Sequence, residues 1–596
     1  MILFIANRGE VARRIIRSAK KLGFQTAVAY PTCDEDLPFV READLTLRVE
    51  SKLARQVYVD IAQVIQSAKV LGATHVHPGY GFLSERPEFV RAVRENGMEF
   101  VGPDASSMQL LGDKVSSRAF LKKLNISLLP SYEEEDLSIE RISLEADRIG
   151  YPLLVKPSAG GGGKGMIKVF SAEDLLPALE SSQRVALESF GDSRIFLEAY
   201  VEGARHVEVQ ILGDQQGNIK AIGERECSVQ RRHQKLIEEC PCEFLPERVR
   251  QSLHHHSLRI AKELGYHSLG TMEWLWDGHD GIYFLEVNTR LQVEHPVTEM
   301  VYGLDLVEWQ LRVALGESIE SLPLTPRGHA IEARLCAEDP QNQFFPSGGK
   351  IYRLRKDEEA RNDFGYEEGN SVGSEFDSML GKVIVFGDSR ERSIEKLVQS
   401  LEKTCVFGPT TNRSYLIQIL KSEAFASGAL STQMLEKMPY QFDLEAAIRL
   451  LKDQPIGKVA DASTDDDLDY YSPWGAVKQR FSEVDSEDFF GLRYFHTKFA
   501  DWKIKIEKRG RELASGSEES FEEGEKKIRS PMPGRIVKVL KKTGDELKRG
   551  DVILILEAMK MEHKVIAPWP SELKELKVSD GDQVLPDDIL VELEKI

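Results

Sequence analysis

A chain of 596 residues is long enough for about four domains, and its 97 acidic and 78 basic residues give a formal net charge of −19. Such an acidic chain is not expected to bind nucleic acid, although local basic patches can still hold phosphates. No apolar run approaches membrane-span length, and the apolar start "MILFIANRGE" has no small-residue cleavage site. Six scattered cysteines are typical of reduced thiols, so we expect a cytoplasmic protein with no membrane association.

The first hundred or so residues alternate between predicted strands and helices. The apolar runs "ILFIAN" and "QTAVAY" flank the amphipathic segment "GEVARRIIRSAKKLG", and "ARQVYVDIAQVIQSAKVLG" is followed by "THVHPG". This order predicts a parallel sheet of an α/β domain. The segment lacks the G-x-G-x-x-G pattern, which argues against a dinucleotide site.

A glycine-rich segment follows near residue 150. The stretch "YPLLVKPSAGGGGKGMIKVF" predicts a strand, a glycine loop and a second strand. A Walker loop would need Ser or Thr at Gly165 and a helix after it, and neither is present. The glycines still allow backbone N–H groups to approach phosphates, so a nucleotide-phosphate site is predicted here.

Five polar residues occupy every second position of one short segment. If the segment is extended, all five face one way, and a core strand would not bury five polar groups without a purpose. The nearby "TMEWLW" adds a further carboxylate, and hard oxygen ligands of this kind suit Mg²⁺ or Mn²⁺. The alternative is a cross-strand network with lysines. The series is Glu286, Asn288, Arg290, Gln292 and Glu294, and the metal-ligand candidates are Glu273, Glu286 and Asn288.

The last seventy residues contain an internal repeat. "PGRIVKVLKKTGDELKRGDVILILE" and "PSELKELKVSDGDQVLPDDILVELE" align at an offset of 37, which predicts two similar small sheets packed face to face. Lys560 follows the first half, where the chain must turn. Its methionine neighbours and the repeat favour a modified carrier lysine over an ordinary hairpin lysine. Residues 443–524, which precede the repeat, predict a small β-rich module with acidic linkers.

Two resemblances follow from these motifs. "EAMKMEH" resembles the attachment site of biotin carboxyl carrier domains. The first 440 or so residues resemble a biotin carboxylase of the ATP-grasp superfamily in "IANRGEVARRI", "HPGYGFLSE", "GDK", "KPSAGGGGKGM", "RHVEVQ", "ERECSVQRRHQK", "FLEVNTRLQVEHPVTEM", "EARLCAEDP" and "FDSMLGK".

The resemblance implies an α/β fold with five parts. These are a biotin carboxylase N-terminal βαβ domain (1–112), an ATP-grasp domain (113–325), a biotin carboxylase C-terminal domain (326–442), the middle module (443–524) that contacts a carboxyltransferase, and a β-sandwich carrier domain of the biotinyl/lipoyl type (525–596).

The resemblance also implies roles for individual residues. The expected ATP-binding residues are Lys114, Lys156, Gly162, Gly163, Glu198, Val201, His206, Gln230, His233, Glu273 and Glu286. Bicarbonate is expected at Lys235, Arg290, Gln292, Val293 and Glu294.

The expected catalytic residues are Lys235, Arg290, Glu294 and Arg334. Glu294 would be the general base, and Arg334 would stabilise the biotin enolate. Tyr80 and Asp377 match further positions near the site. Lys164 and Ala199 depart from the pattern, since many relatives have Arg and Lys there.

The implied function is ATP- and bicarbonate-dependent carboxylation of biotin on Lys560, in the alpha subunit of an acyl-CoA carboxylase. The implied partners are a separate carboxyltransferase beta subunit, in a hetero-oligomer, and a biotin protein ligase. Three alternatives stay open: another ATP-grasp ligase, a carrier scaffold with a degenerate ATP site, and the biotin-bearing part of a pyruvate or urea carboxylase. The sequence does not identify the acyl acceptor.

Overall fold

The structure is a computed structural model that describes residues 1–133, 138–158, 165–190, 192–441, 527–530, 534–558, 561–584 and 588–595, together with five strands between 468 and 508. In the described residues, no helix has the length and apolar character needed to cross a membrane.

The first domain contains a five-stranded parallel sheet with strand order β3-β2-β1-β4-β5. This confirms the prediction of a parallel sheet. Strands β2 and β3 are added on one side of β1, and β4 and β5 on the other, so the order of strand addition reverses at the neighbouring parallel strands β1 and β4. The Asn7 side chain, just after β1, donates to the carbonyls of Pro78 and Tyr80, both at 2.8 Å. The elements are β1 (Ile2–Ile5), α1 (Gly9–Lys21), β2 (Gln25–Tyr30), α2 (Pro38–Glu42), β3 (Leu45–Arg48), α3 (Gln56–Val59), α4 (Ile61–Val70), β4 (His75–His77), α5 (Pro87–Glu95), β5 (Glu99–Phe100) and α6 (Ala105–Gly112).

A four-stranded antiparallel sheet with order β6-β9-β7-β8 comes next along the chain. The predicted strands on both sides of the glycine loop are present as β7 and β8, which pair with each other. Gly162 and Gly163 lie outside the described residues. The elements are α7 (Lys114–Lys123), β6 (Ser131–Tyr132), α8 (Ile139–Ile149), β7 (Leu153–Pro157), β8 (Ile167–Val169), α9 (Ala172–Phe190) and β9 (Ile195–Ala199).

The largest sheet has eight strands in the order β14-β13-β10-β11-β12-β15-β22-β20. It continues across the expected domain limit at 325/326, because β12 pairs with β15 with Ile237 opposite Ala333. Its first six helices and strands are β10 (Arg205–Gly213), β11 (Ile219–Arg231), β12 (Gln234–Cys240), α10 (Glu247–Glu263), β13 (Ser268–Trp276) and β14 (Ile282–Asn288), followed by α11 (His295–Tyr302), α12 (Leu306–Ala314) and β15 (His329–Cys336).

The remaining elements of this region include β22 and β20, the last two strands of the sheet. They are β16 (Glu338–Asp339), β17 (Phe345–Pro346), β18 (Gly349–Lys350), β19 (Arg353–Arg355), β20 (Arg361–Phe364), β21 (Ser371–Val372), β22 (Met379–Gly387), α13 (Arg390–Lys403), β23 (Cys405–Phe407), α14 (Arg413–Leu420) and α15 (Glu423–Ala426). One apolar core links this sheet to the first domain, since Leu3, Val229, Ile331 and Leu401 belong to the same buried cluster.

The middle module contributes five described strands that form one antiparallel sheet, in agreement with a β-rich module. They are β24 (Leu468–Ser472), β25 (Gly475–Ala476), β26 (Asp485–Phe489), β27 (Leu492–His496) and β28 (Asp501–Lys508).

The C-terminal repeat folds into two four-stranded sheets, as the sequence predicts. Equivalent strands of the two halves lie in opposite sheets: β30 and β32 are in one, and their counterparts β34 and β36 are in the other. Gly544 and Gly581, which are equivalent in the repeat, have φ of +92° and +93°, a conformation that favours glycine. The strands are β29 (Lys527–Arg529), β30 (Gly534–Val539), β31 (Glu546–Leu547), β32 (Val552–Ala558), β33 (Met561–Ile566), β34 (Ser571–Leu576), β35 (Gln583–Val584) and β36 (Ile589–Lys595).

The carrier core predicts a local effect of truncation. Leu556 is 0% exposed between the two sheets, so Leu556→Ala should lower the stability of this domain by about 2–5 kcal/mol. Hydrogen exchange of residues 534–595 in the full-length chain measures this change. The matched control is Leu540→Ala, since Leu540 is 44% exposed. Equal exchange in the two variants would contradict the packing described here.

Candidate active site

A largely buried ammonium group, on a side chain that is 13% exposed, lies among three carboxyl groups on one face of the eight-stranded sheet. Lys235 at the start of β12 contacts Glu208 of β10, and its Nζ is 3.2 Å from Glu273 Oε1 and 2.8 Å from Glu294 Oε1. Antiparallel pairing explains the grouping, because Glu208 and Glu273 are register partners on β10 and β13. The sheet therefore gathers charges that lie up to 86 residues apart in sequence, from 208 to 294.

The carboxyl groups around Lys235 differ in how readily they ionise. Burial works against the charge of Lys235, but Glu208, Glu273 and Glu294 outweigh it and raise the pKa of Lys235 well above its usual value. Burial also opposes ionisation of Glu273, but Lys235 and His206 lower its pKa. Burial raises the pKa of Glu208. Lys235 opposes this increase, whereas the negative charges of Glu294 and Glu273 add to it. Glu273 therefore ionises more readily than an ordinary glutamate, and Glu208 less readily.

Glu294 is a buried carboxylate held between two cations. It is the residue immediately before α11 and is fully buried. Its second oxygen, Oε2, is 2.9 Å from an Arg334 amino group. Burial would favour the neutral form, but Lys235, Arg334 and Arg225 hold the pKa of Glu294 well below its usual range. Glu294 is therefore a charged acceptor between two cations.

The alternating polar series, Glu286 to Glu294, is only partly in a strand. Strand β14 ends at Asn288, so the three later residues lie in the loop before α11. Arg290 donates to Asn288 Oδ1 at 2.7 Å and has its Nε 3.0 Å from Glu85 Oε2. Gln292 donates to Glu273 Oε1 at 2.9 Å. The prediction that all five residues lie on one extended strand is wrong. The loop nevertheless places the later polar groups close to the earlier ones.

Glu273 links this loop to the predicted nucleotide residues. Asn288 donates to Glu273 Oε1 at 2.6 Å, and His206 Nε2 lies 2.9 Å from Glu273 Oε2. The ring of His206 is also 2.7 Å from the Gln230 amide nitrogen. Burial opposes protonation of His206, but Glu273 outweighs it and raises the pKa of His206 above its usual value. Four predicted residues therefore share one hydrogen-bonded group.

The metal-ligand candidates lie on neighbouring strands. Glu286 is the register partner of Glu273, and Asn288 lies two residues further along the same strand. Their carboxylate and amide oxygens are the hard donors that Mg²⁺ takes, usually with waters and phosphates completing the shell. Glu286 is exposed, whereas Asn288 and Glu273 are buried. The donor set therefore fits an ion that is held partly by the protein and partly by a ligand from solvent.

Arg334 and Val293 are fixed by residues that the sequence reasoning did not single out. Arg334 Nε donates to Glu238 Oε1 at 2.6 Å, and the buried Lys382 donates to the Val293 carbonyl at 2.6 Å. Burial opposes the charge of Arg334, but Glu238 and Glu294 raise its pKa further above its usual value. The cation therefore stays charged beside Glu294.

A second group lies on the four-stranded sheet. Lys156 of β7 forms an ion pair with Glu198 of β9, and Arg118 is 3.1 Å from the same carboxylate. Lys114 is the first residue of α7, and Val201 follows β9. His233 is exposed in the turn between β11 and β12, with φ of +64°.

Several residues of the site were missed by the sequence reasoning: Glu208, Arg225, Glu238, Lys382 and Glu85. Glu208 lies two residues after His206 in "RHVEVQ", so strand alternation could have placed it on the same face. Arg225 is 2.8 Å from Glu208 and is fully buried, which only the pairing of β10 with β11 explains.

Tyr80 and Asp377, the two further positions that match the family pattern, lie in different surroundings. Tyr80 donates to Glu10, whose carboxylate is 3.4 Å from Lys382, so Tyr80 belongs to the edge of the site. Asp377 is exposed and its Oδ1 accepts from the Met379 backbone at 3.3 Å. Strands β32 and β33 pair as far as Ala558 and Met561, and Lys560 between them lies outside the described residues.

Four family models match the chain in succession. They are the biotin carboxylase N-terminal domain at 1–108, the ATP-binding domain of the carbamoyl-phosphate synthase L chain at 113–322, the biotin carboxylase C-terminal domain at 332–437 and the biotin-requiring enzyme domain at 526–593.

Solved structures resemble the first three parts. The biotin carboxylase domain dimer of Hydrogenobacter thermophilus 2-oxoglutarate carboxylase, in complex with MgADP, ADP and bicarbonate, is 36% identical with a TM-score of 0.72, over 74% of this chain and 99% of that chain. A biotin carboxylase–ATP complex from Campylobacter jejuni is 36% identical with a TM-score of 0.70, over 73% of this chain and 98% of that chain.

Curated relatives extend the similarity to the full length. The mitochondrial methylcrotonoyl-CoA carboxylase subunit alpha of Oryza sativa subsp. japonica is 33% identical over 99% of this chain and 93% of its own length. The propionyl-CoA carboxylase alpha chain of Ruegeria pomeroyi is 35% identical over 99% of both. This chain belongs to the family of acyl-CoA carboxylase alpha subunits, which join a biotin carboxylase to a biotin carrier domain.

Proposed function

We propose that Glu294 is the general base that deprotonates bicarbonate in the ATP-dependent carboxylation of biotin carried by this chain. The observation that carries the proposal is the position of Glu294, ionised and buried between Lys235 at 2.8 Å and Arg334 at 2.9 Å. A base must be ionised and within hydrogen-bond reach of the proton it removes. Bicarbonate is held by Lys235, Arg290, Gln292 and the backbone of Val293.

The nucleotide is bound between the group of residues around Lys235 and the group around Lys156. ATP contacts Lys114, Lys156, Gly162, Gly163, Glu198, Val201, His206, Gln230, His233, Glu273 and Glu286. Glu273, Glu286 and Asn288 would hold magnesium, which would screen the charge of the phosphates. The bound MgADP and bicarbonate of the Hydrogenobacter structure support both assignments, since its domain matches residues of this chain at 36% identity.

The residues of the chain act in order. Glu294 takes the bicarbonate proton while Lys235 and Arg290 hold the resulting charge, and the anion attacks the γ-phosphate to give carboxyphosphate with release of ADP. Carboxyphosphate breaks down to CO₂ and phosphate, that phosphate removes the proton of the acceptor nitrogen, and the nitrogen then attacks CO₂ to form the N–C bond. Arg334 supplies a fixed positive charge where negative charge develops. The biotin on Lys560 supplies the ureido nitrogen that carries the carboxyl group to a second site.

The second half of the reaction takes place on another chain. The carboxyltransferase is a separate beta subunit, so the working enzyme is a hetero-oligomer, and a biotin protein ligase modifies Lys560. The named relatives are alpha subunits, which supports this division. Six free cysteines suit a reducing compartment, and we place this chain in the cytoplasm, although the rice relative is named as mitochondrial.

The single chain should carboxylate its own biotin but no acyl-CoA. With radiolabelled bicarbonate, ATP and Mg²⁺, label should appear on the biotinylated protein, and Lys560→Arg should abolish both the label and the streptavidin signal. No label should reach acetyl-, propionyl- or methylcrotonyl-CoA until a carboxyltransferase is added. Acid-stable label on any of these thioesters without a partner would overturn the division between two chains.

Replacing the base should separate chemistry from nucleotide binding. Glu294→Gln should keep ATP binding but lower bicarbonate-dependent ATP hydrolysis by a factor on the order of 10² or more, because general-base help is lost. Glu286→Ala serves as the comparison, since loss of a metal ligand should raise the KM for Mg·ATP instead. Steady-state kinetics distinguish the two patterns, and wild-type turnover in Glu294→Gln would remove this residue from the mechanism.

The contact between the carrier and the carboxylase predicts a tether-specific effect. Phe345 of β17 packs against the core cluster of the carrier domain. Phe345→Ala should slow carboxylation of the tethered biotin about fivefold, as for the loss of an interface contact worth roughly 1 kcal/mol. Carboxylation of free biotin by the same variant is the control and should be unchanged. An equal loss on both substrates would contradict a docking role for Phe345.

A further inference from the structure

Two buried glutamates lie directly opposite each other behind the catalytic arginine. Glu238 of β12 and Glu332 of β15 are register partners in the antiparallel pair, and both side chains are fully buried. Side chains at directly opposed positions of two antiparallel strands lie on the same face, with Cβ atoms about 4.5–5.5 Å apart. The two carboxyl groups are therefore neighbours in an interior that excludes water.

Two cations lie on the same face, and only one of them bonds to this pair. Arg334 is two residues after Glu332 on β15, and its Nε donates to Glu238 Oε1 at 2.6 Å. Lys382, the register partner of Arg334 on β22, donates instead to the Val293 carbonyl at 2.6 Å and lies 3.4 Å from Glu10. Neither oxygen of Glu332 has a hydrogen-bond partner among the described residues, nor does Glu238 Oε2.

Charge balance indicates that the pair is not doubly ionised. Two carboxylates side by side in a dry interior repel each other, so one of them keeps a proton. Burial raises the pKa of Glu238 to about 7, with Arg334 opposing and Glu294 adding to the effect. Burial raises the pKa of Glu332 well above its usual value, with Lys382 opposing and Glu238 adding. At neutral pH, the geometry and the charges thus favour a proton on Glu332.

We propose that Glu238 and Glu332 form a carboxyl pair that shares one proton and acts as the positioning device for Arg334 beside Glu294. Glu238 carries the negative charge and fixes the guanidinium through its Nε, while the protonated Glu332 leaves that charge undisturbed. The proposal rests on the proposed roles of Arg334 and Glu294 and adds two residues that act through Arg334. Neither glutamate touches the substrate.

The state of the pair should change with pH on both sides of neutrality. Below the pKa of Glu238, near 7, a second proton neutralises Glu238, and Arg334 loses the partner that orients it. At alkaline pH, Glu332 ionises and competes with Glu294 for Arg334. The charged groups that face the pair are Arg334, Glu294 and Lys235 around Glu238, and Lys382, Arg334 and Glu294 around Glu332. The rate of biotin carboxylation should therefore fall both below and above neutral pH.

The first experiment detects the proton without turnover. Infrared spectra of the full-length chain at neutral pH should show the C=O stretch of a buried protonated carboxyl group, and Glu332→Gln should remove it. The control is Glu239→Gln on the opposite face of β12, where Glu239 bonds to His329 and Arg390 outside the site. That variant should be less stable to heat but should keep the band. A band unchanged in Glu332→Gln would overturn the proposal, even if biotin carboxylation is confirmed.

The second experiment measures positioning. Glu332→Gln imitates the protonated acid, so it should keep wild-type kcat at neutral pH and lose the alkaline limb. Glu238→Gln should lower kcat for biotin carboxylation about tenfold or more with the KM for ATP unchanged, since a charged partner of Arg334 is gone. An unaltered alkaline limb in Glu332→Gln, or wild-type kcat in Glu238→Gln, would refute the positioning role. Glu239→Gln should keep the wild-type pH profile.

Discussion

The candidate site depends on one largely buried ammonium group, Lys235, and on the carboxyl groups that surround it. Removing an ion from water costs several kcal/mol unless its partners are well placed. Deleting one partner of a buried ion pair lowers stability more than replacing the whole pair by apolar residues. Lys235 meets three carboxyl groups from two other strands and a loop. The requirement to satisfy that charge fixes the relative positions of β10, β12, β13 and the start of α11.

The same requirement explains why the large sheet is continuous. Arg334 completes the environment of Glu294, and it comes from β15, beyond the expected limit of the ATP-grasp domain. Lys382 on β22 then fixes the backbone at Val293. A flexible junction between the two domains would leave these charges unpaired, so direct pairing of β12 with β15 is the arrangement that holds them. The candidate site is thus a property of the joined sheet and not of either domain alone.

Local patterns in the sequence predicted most of the fold and part of the site. The parallel sheet, the strands around the glycine loop and the doubled carrier sheet follow from periodicity and repetition, which are encoded within short segments. Members of the alternating series from Glu286 to Glu294 also lie close together, although the strand ends at Asn288 and a loop brings Gln292 back to Glu273. Their roles in the reaction stay predictions, and the alternation predicted their proximity even though the predicted local geometry is wrong.

The residues that were missed share a physical reason. Glu208, Arg225, Glu238 and Glu332 are buried charges whose partners lie on other strands, and strand register cannot be deduced from one sequence. An isolated glutamate in an apolar strand gives no sign of whether it pairs with a cation, holds a proton or faces solvent. Only pairing shows that Glu238 and Glu332 are opposed, and that Arg334 stands between this pair and Glu294. The charged surroundings of Arg334 therefore depend on the interstrand register of β12, β15 and β22.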